Sequence, residues 1–309
     1  MSFFLLIILF NILLLIFAPF LILGVIKKTK AFFAGRKGVH ILQPFWDFCR
    51  LLKKDSVYSS TTSWIFKFAP IVGLATTLFA ALFVPMLCGF SIFVVPFAFI
   101  IFSYSLGLGK FFALITAMDT GSSFEGMGAA REACFSTIVE PAFFIAMASV
   151  VALTGISDFN NFKFILHNAG IYGLLIMLLL VLALFIMMLI ECCRVPVDDP
   201  TTHLELTMIH EVMILDNSGV DLALISWSSA IKLFLFESLI ANIIIPVKYM
   251  GIFECIVAYL LILLILSIII GVVEASMARF RMSHIFEFIF VMTILALLIL
   301  ALVTYRISL

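Results

Sequence analysis

The chain has 309 residues, of which 65% are hydrophobic and 12% charged, with a mean hydropathy of +1.30. A soluble domain carries about 25% charged residues, so half that density cannot cover a water-facing surface and the apolar excess must face lipid. Eighteen basic residues balance eighteen acidic ones, which leaves no electrostatic footprint for nucleic acid. The six cysteines form no CxxC pair, so neither an iron–sulfur cluster nor a structural zinc has a recognisable ligand set in this chain.

Apolar runs near twenty residues mark eight membrane spans in one polytopic domain covering residues 1–309, an all-α fold. The first, Phe3–Ile26, has no small-residue cleavage site after it and reads as a retained helix rather than a signal peptide. In the loop that follows, Pro44 suits the first turn of a short helix. Leu42, Phe45, Trp46, Cys49 and Leu52 share one of its faces, with Gln43, Asp47, Arg50 and Lys54 opposite. Such an amphipathic helix either lies in the headgroup plane against lipid or frames the mouth of a cavity between the spans.

Spans two and three are predicted at Ile65–Cys88 and Ser91–Phe112, with little more than Gly89 and Phe90 between them. The fourth, Cys134–Gly155, carries Glu140 directly before Pro141, a pair expected to kink the helix and free a backbone carbonyl. The remaining spans are Gly170–Glu191, Ile225–Val247, Ile252–Val273 and Ile285–Tyr305. Twelve of the eighteen Lys and Arg fall in the odd-numbered loops and three on the other side. The positive-inside rule therefore places the odd loops in the cytoplasm and both termini outside.

Two groups of residues stand out. The 5–6 loop, Glu191–Ile225, sets Asp198, Asp199, Glu205, Glu211, Asp216 and Asp221 against the single base Arg194. An acidic loop is repelled by anionic lipid, so it is expected to face a protein partner. Asp199-Pro200 and Thr202-x-x-Glu205 also read as helix-starting signals. His203 and His210, seven apart, lack a third ligand for a metal. Arg194 is expected to pair with Glu191 or Glu211. The second group comprises ionisable residues in or beside the spans: Glu140, Glu191, Lys232, Glu237, Glu254, Glu274 and Glu287. Charges in hydrocarbon cost a few kcal/mol each, so they pair, face the bundle interior or mark an ion path. Glu140, Glu191, Lys232, Glu237 and Glu274 are the expected proton or ion path, while Glu254 and Glu287, near span ends, read as headgroup-level charges.

The run ECCRVPVDDPTTHLELTMIHE (Glu191–Glu211) resembles the membrane-anchor subunits of group 4 energy-converting nickel–iron hydrogenases, the formate hydrogenlyase subunit 4 and hydrogenase-4 component C type. These are homologues of the complex I membrane protein, its subunit 1, that joins the quinone-reducing arm to the membrane arm. GRKG at Gly35–Gly38, LQPFWDFCRLLKKD at Leu42–Asp55, REACFSTIVEP at Arg131–Pro141 and EASMARFRM at Glu274–Met282 extend the resemblance. It implies a peripheral-arm interface built from Arg36, Arg194, Asp198, Asp199, His203, Glu205, His210 and Glu211. It also places Glu140 on the family's fourth-span carboxylate. Hydrogenase large and small subunits and iron–sulfur subunits are implied on the cytoplasmic side, with antiporter-like subunits and lipid in the membrane. The nickel–iron centre and iron–sulfur clusters would lie in those partners and no redox cofactor in this chain. The implied location is the cytoplasmic membrane of a prokaryote. Val197 stands where the complex I version has Phe, and the sixth span offers Ser228 and Ser229 where that version has Glu, departures that favour the hydrogenase branch. A quinone-site component of complex I and a stand-alone proton or cation transporter are the competing readings.

Overall fold

The computed structural model describes residues 2–86, 89–155, 157–159, 170–199, 208–245 and 251–308; the side chains of residues 2–7 and 170–171 are outside this description. His203 and Glu205 therefore lie outside the described residues. Among those described there are ten helices and no strand. They are α1 Ser2–Phe33, α2 Gln43–Leu51, α3 Trp64–Ala81, α4 Ala98–Asp119 and α5 Ser123–Thr154, followed by α6 Gly170–Glu191, α7 His210–Met213, α8 Gly219–Ile244, α9 Ile252–Ser276 and α10 Met282–Ser308. All except α2 and α7 are long and apolar enough to cross a membrane, which makes eight spans. A helix closes its backbone hydrogen bonds within itself, the condition for crossing lipid without stranded polar groups.

Two connections differ from the sequence reading. Between α3 and α4 the described residues 82–86 and 89–97 lie outside any helix, so the connection is not a two-residue link. Pro85 lacks the amide a helix needs and clashes with the preceding turn, so α3 stops at Ala81; α4 starts after Phe97, whose φ is 57°. On the loop side, residues 123–133 are helix rather than loop. They lengthen α5 to 32 residues, about 48 Å, well beyond a hydrocarbon core of about 30 Å.

The amphipathic α2 packs on protein through part of its apolar face. Phe45 and Phe48 lie 5.6 and 5.2 Å from the Phe20 ring, and Phe48 lies 5.3 Å from Trp227 of α8. Trp46, 56% exposed, stays on the outside.

At the centre stands α8, which touches α1, α2, α3, α6 and α9. From Ala230 to Ile243 every residue except Lys232 is buried. Its start is locked to the first loop. Gly219 has φ +53°, and a Cβ there would collide with the Asp55 carbonyl. Ser218 receives the Val57 amide on its hydroxyl at 2.8 Å and the Ser56 hydroxyl on its carbonyl at 3.2 Å. Burial and a hydrogen bond to Asp221 raise the Tyr58 phenol above its usual range, so it stays a donor.

Candidate functional site

Glu191 is the last residue of α6, where helix carbonyls lack partners and the dipole favours cations. Two lysines meet it. Lys232 of α8 places Nζ 2.7 Å from the Glu191 carbonyl oxygen and 2.7 Å from Oε2. Lys110 of α4 bonds both carboxylate oxygens at 2.7 and 2.9 Å, donates to the Ser136 hydroxyl at 2.7 Å and lies 3.6 Å from Glu132 of α5. Two lysines and two glutamates from four helices thus form a neutral, largely buried group. An ion pair removed from water holds only when the charges balance and the remaining donors are used, and both conditions are met. Cys193 adds its thiol 3.6 Å from Glu132 Oε2.

These four side chains line one wall of a cavity of about 120 Å³ between α3, α4, α8 and the 5–6 loop. Pro70, Leu106 and Ile225 supply apolar wall, and His210, Asn217 and Ser228 supply polar wall. The space holds several water molecules. No residue of α2 lines it; Phe48 of that helix packs on Trp227, next to the lining residue Ser228.

Beyond Glu191 the chain turns sharply. The Cys193 amide bonds Ile190 O at 3.1 Å and the Arg194 amide bonds Leu189 O at 2.8 Å, with Cys193 left-handed at φ 48°. This is the hydrogen-bond pattern of a Schellman cap, with cysteine in the usual glycine position. Because the helix does not continue, Arg194 does not reach Glu191 as expected from their spacing. Its Nη1 lies 3.2 Å from Oε1 of Glu274 on α9, and Lys30 of α1 lies 3.8 Å from the other oxygen. Lys30 also lies 3.5 Å from Asp199. Asp198 is 1% exposed; it accepts the amides of Ile209 and His210 at 2.9 and 3.1 Å and lies 3.3 Å from Arg279. It is an internal organiser of the loop, whereas Asp199 is only partly buried.

The expected ion path is only partly gathered in one place. Glu191 and Lys232 join the four-charge group, and Glu274 joins the Arg194 group. Glu237, fully buried, meets the Ser267 hydroxyl at 3.3 and 3.4 Å. Glu140 stays apart, half-buried, with no hydrogen bond or ion pair to a described residue. Arg36 is exposed, Glu211 is half-buried and His210 faces the cavity. Glu254 accepts the Gly251 amide at 3.1 Å and caps α9, while Glu287, exposed, pairs with His284 at 3.0 Å. Among the described residues no three His, Cys, Asp or Glu are placed to hold a metal.

The sequence reading left Lys110 and Glu132 out of its site. Lys110 was visible as a lysine at the end of an apolar run; Glu132 was hidden by being assigned to a loop.

Eight spans, five of which line a charged cavity together with described residues of the 5–6 loop, make this a polytopic membrane protein. A sequence profile described as NADH dehydrogenase matches residues 4–305, and the chain belongs to that family, which includes the corresponding membrane protein of complex I. It is 25% identical to formate hydrogenlyase subunit 4 of Escherichia coli K12, over 85% of this chain and 87% of that one. To hydrogenase-4 component C of the same organism it is 27% identical, over 87% and 86%. The fold is also that of a chain in the membrane-bound sulfane sulfur reductase, an archaeal respiratory membrane complex. The TM-score there is 0.81 at 20% identity, covering 96% of this chain and 99% of the other.

Proposed function

We propose that the chain is the membrane subunit of an energy-converting nickel–iron hydrogenase that anchors the peripheral hydrogenase subunits and couples their electron transfer to proton or ion movement. The observation that carries this reading is the single segment from Glu191 to Asp199. Its first residue belongs to the buried Lys110–Glu132–Glu191–Lys232 group, and its last, Asp199, is a partly buried acid of the loop side. A change in charge at a docked partner would act on Asp199 and Arg194 and, through that short segment, on the lysine pairs of Glu191. Such a linkage is a coupling free energy between two sites. The hydrogenase assignment is supported by two relatives named for hydrogenase complexes that match nearly the whole chain, and by the motif run Glu191–Glu211. Ser228 and Ser229, the cavity-lining residues of the sixth span where the complex I version is expected to have a Glu, weigh against quinone chemistry; Glu237 of the same span does not line the cavity. The bases of the loop side orient that side to the cytoplasm of a prokaryotic cell, with both termini outside.

Mild-detergent purification from native membranes tests the reading. Hydrogenase large, small and iron–sulfur subunits are expected to travel with the chain, together with antiporter-like membrane subunits. Recovery with a quinone-reducing arm, or alone, overturns it.

A further inference from the structure

The cavity with its four charges needs a route to the cytoplasmic water, and one buried carboxylate has no part in anything described so far. Glu125 lies in the first turn of α5 and is 1% exposed. Its Oε1 accepts the Asp216 amide at 3.2 Å; among the described residues its Oε2 has no well-aligned donor, with only the Thr120 hydroxyl beside the carboxyl group. A buried acceptor without a well-aligned donor is costly and calls for a proton or a water molecule. The residue it holds, Asp216, is exposed, while the next, Asn217, is buried, lines the cavity and also has an unpartnered side-chain oxygen. Glu125 therefore sits where the chain passes from cytoplasmic surface to cavity wall.

Its surroundings continue inward. The Thr120 hydroxyl of α4 faces the carboxyl group, and one turn further along α4 Thr116 lines the cavity. On α5, Glu132 and Ser136 follow Glu125 at seven and eleven residues, on the same face, and both belong to or touch the four-charge group. The helix α7 is held against this face at Gly128, where a Cβ would collide with Val212 and come within 2.9 Å of the Ile209 carbonyl.

We propose that Glu125 is the carboxyl through which protons pass between the cytoplasm and the cavity. The proton enters on Oε2, moves through water alongside the Thr120 and Thr116 hydroxyls, which at rest donate to the Ala117 and Phe112 carbonyls, to the Lys110–Glu132 pair, and leaves Glu125 ionised for the next. Hydroxyl rotors act as both donor and acceptor, so each transfer conserves charge along the line. This inference rests on the ion-coupling reading above.

The test uses the intact complex in sealed vesicles, following ion uptake with a pH-sensitive dye and electron transfer with soluble dyes. Glu125→Gln keeps the acceptor for the Asp216 amide but cannot titrate. It is expected to lower uptake on the order of a hundredfold with dye-linked electron transfer intact, and Glu125→Asp is expected to restore most of it. Added acetate, a small weak acid, is expected to rescue Glu125→Gln but not Glu132→Gln. Full uptake in Glu125→Gln, with uptake lost in Glu132→Gln, overturns the inlet and leaves the coupling reading standing. Full uptake in Glu132→Gln overturns the coupling reading itself. Should Glu125→Gln fail to assemble, Thr120→Val decides: reduced uptake supports the route, and unchanged uptake overturns it.

Discussion

The two halves of α8 solve the problem of polarity in a membrane differently. The loop-side half carries Ser228 and Lys232 into a cavity, where charges from four helices cancel one another. The far half carries Ser238 and Asn242 into a packed interior with no charge. Both donate to the Pro85 carbonyl, at 2.7 and 2.5 Å, and Ser238 also meets the Tyr259 hydroxyl at 2.8 Å. Glu237, whose hydrogen bond among the described residues is with Ser267, marks the border between them. Neutral hydrogen bonds can be dry and still be satisfied, whereas charges need partners, water or both. The cavity therefore lies where the charges are, and the tight packing lies where they are absent.

Breaking the charged half is expected to have the largest effect. Glu191→Gln leaves Lys110 and Lys232 facing the single charge of Glu132 in a largely buried place, a loss of about 3–5 kcal/mol. A purified complex as heat-resistant as the parent would show that the lysines are hydrated and not held by Glu191. Arg194→Ala comes next, at roughly 2–3 kcal/mol, because Lys30 still lies 3.8 Å from Glu274. The sharper form of this prediction is a double variant: Arg194→Ala with Glu274→Gln should be milder than the sum of the two changes. Asp198→Asn keeps one acceptor for the Ile209 and His210 amides but loses the Arg279 charge, about 1.5–3 kcal/mol. Its readout is protease sensitivity of the 5–6 loop, which is expected to rise. The smallest effect belongs to the dry half. Ser238→Ala removes neutral hydrogen bonds for about 1 kcal/mol and should leave ion uptake untouched; a loss of uptake would make that half part of the ion route.

The eight spans were legible because hydropathy over twenty residues is a local property and lipid enforces it. The charged site was legible only in part, since its contacts are remote in sequence. Lys110 and Glu191 are 81 residues apart, and Arg194 and Glu274 are 80 apart. Local spacing pointed Arg194 to Glu191, but the left-handed Cys193 turns the chain before that pair can form. Glu132 escaped notice because charges at helical spacing near a predicted span end look like a solvated loop, when they continue α5. Glu140 had the opposite history. Its place beside Pro141 drew attention, yet no described group bonds to it.

The position of Glu191 has an electrical consequence. The helix that ends on it is 22 residues long, about 33 Å, so it crosses a hydrocarbon core of about 30 Å in full. Glu191, and the lysines bonded to it, therefore sit at one edge of the hydrocarbon core, on the side of the 5–6 loop. In the proposed coupling, a proton arriving there from that side would have crossed almost none of the voltage. The work of about 2.3 kcal/mol per charge per 100 mV still lies ahead of it, and the dry far half of α8 offers no charged carrier for that passage. Under the proposed coupling, the four-charge group would be a switch at the foot of the potential, with the climb itself in a neighbouring membrane subunit.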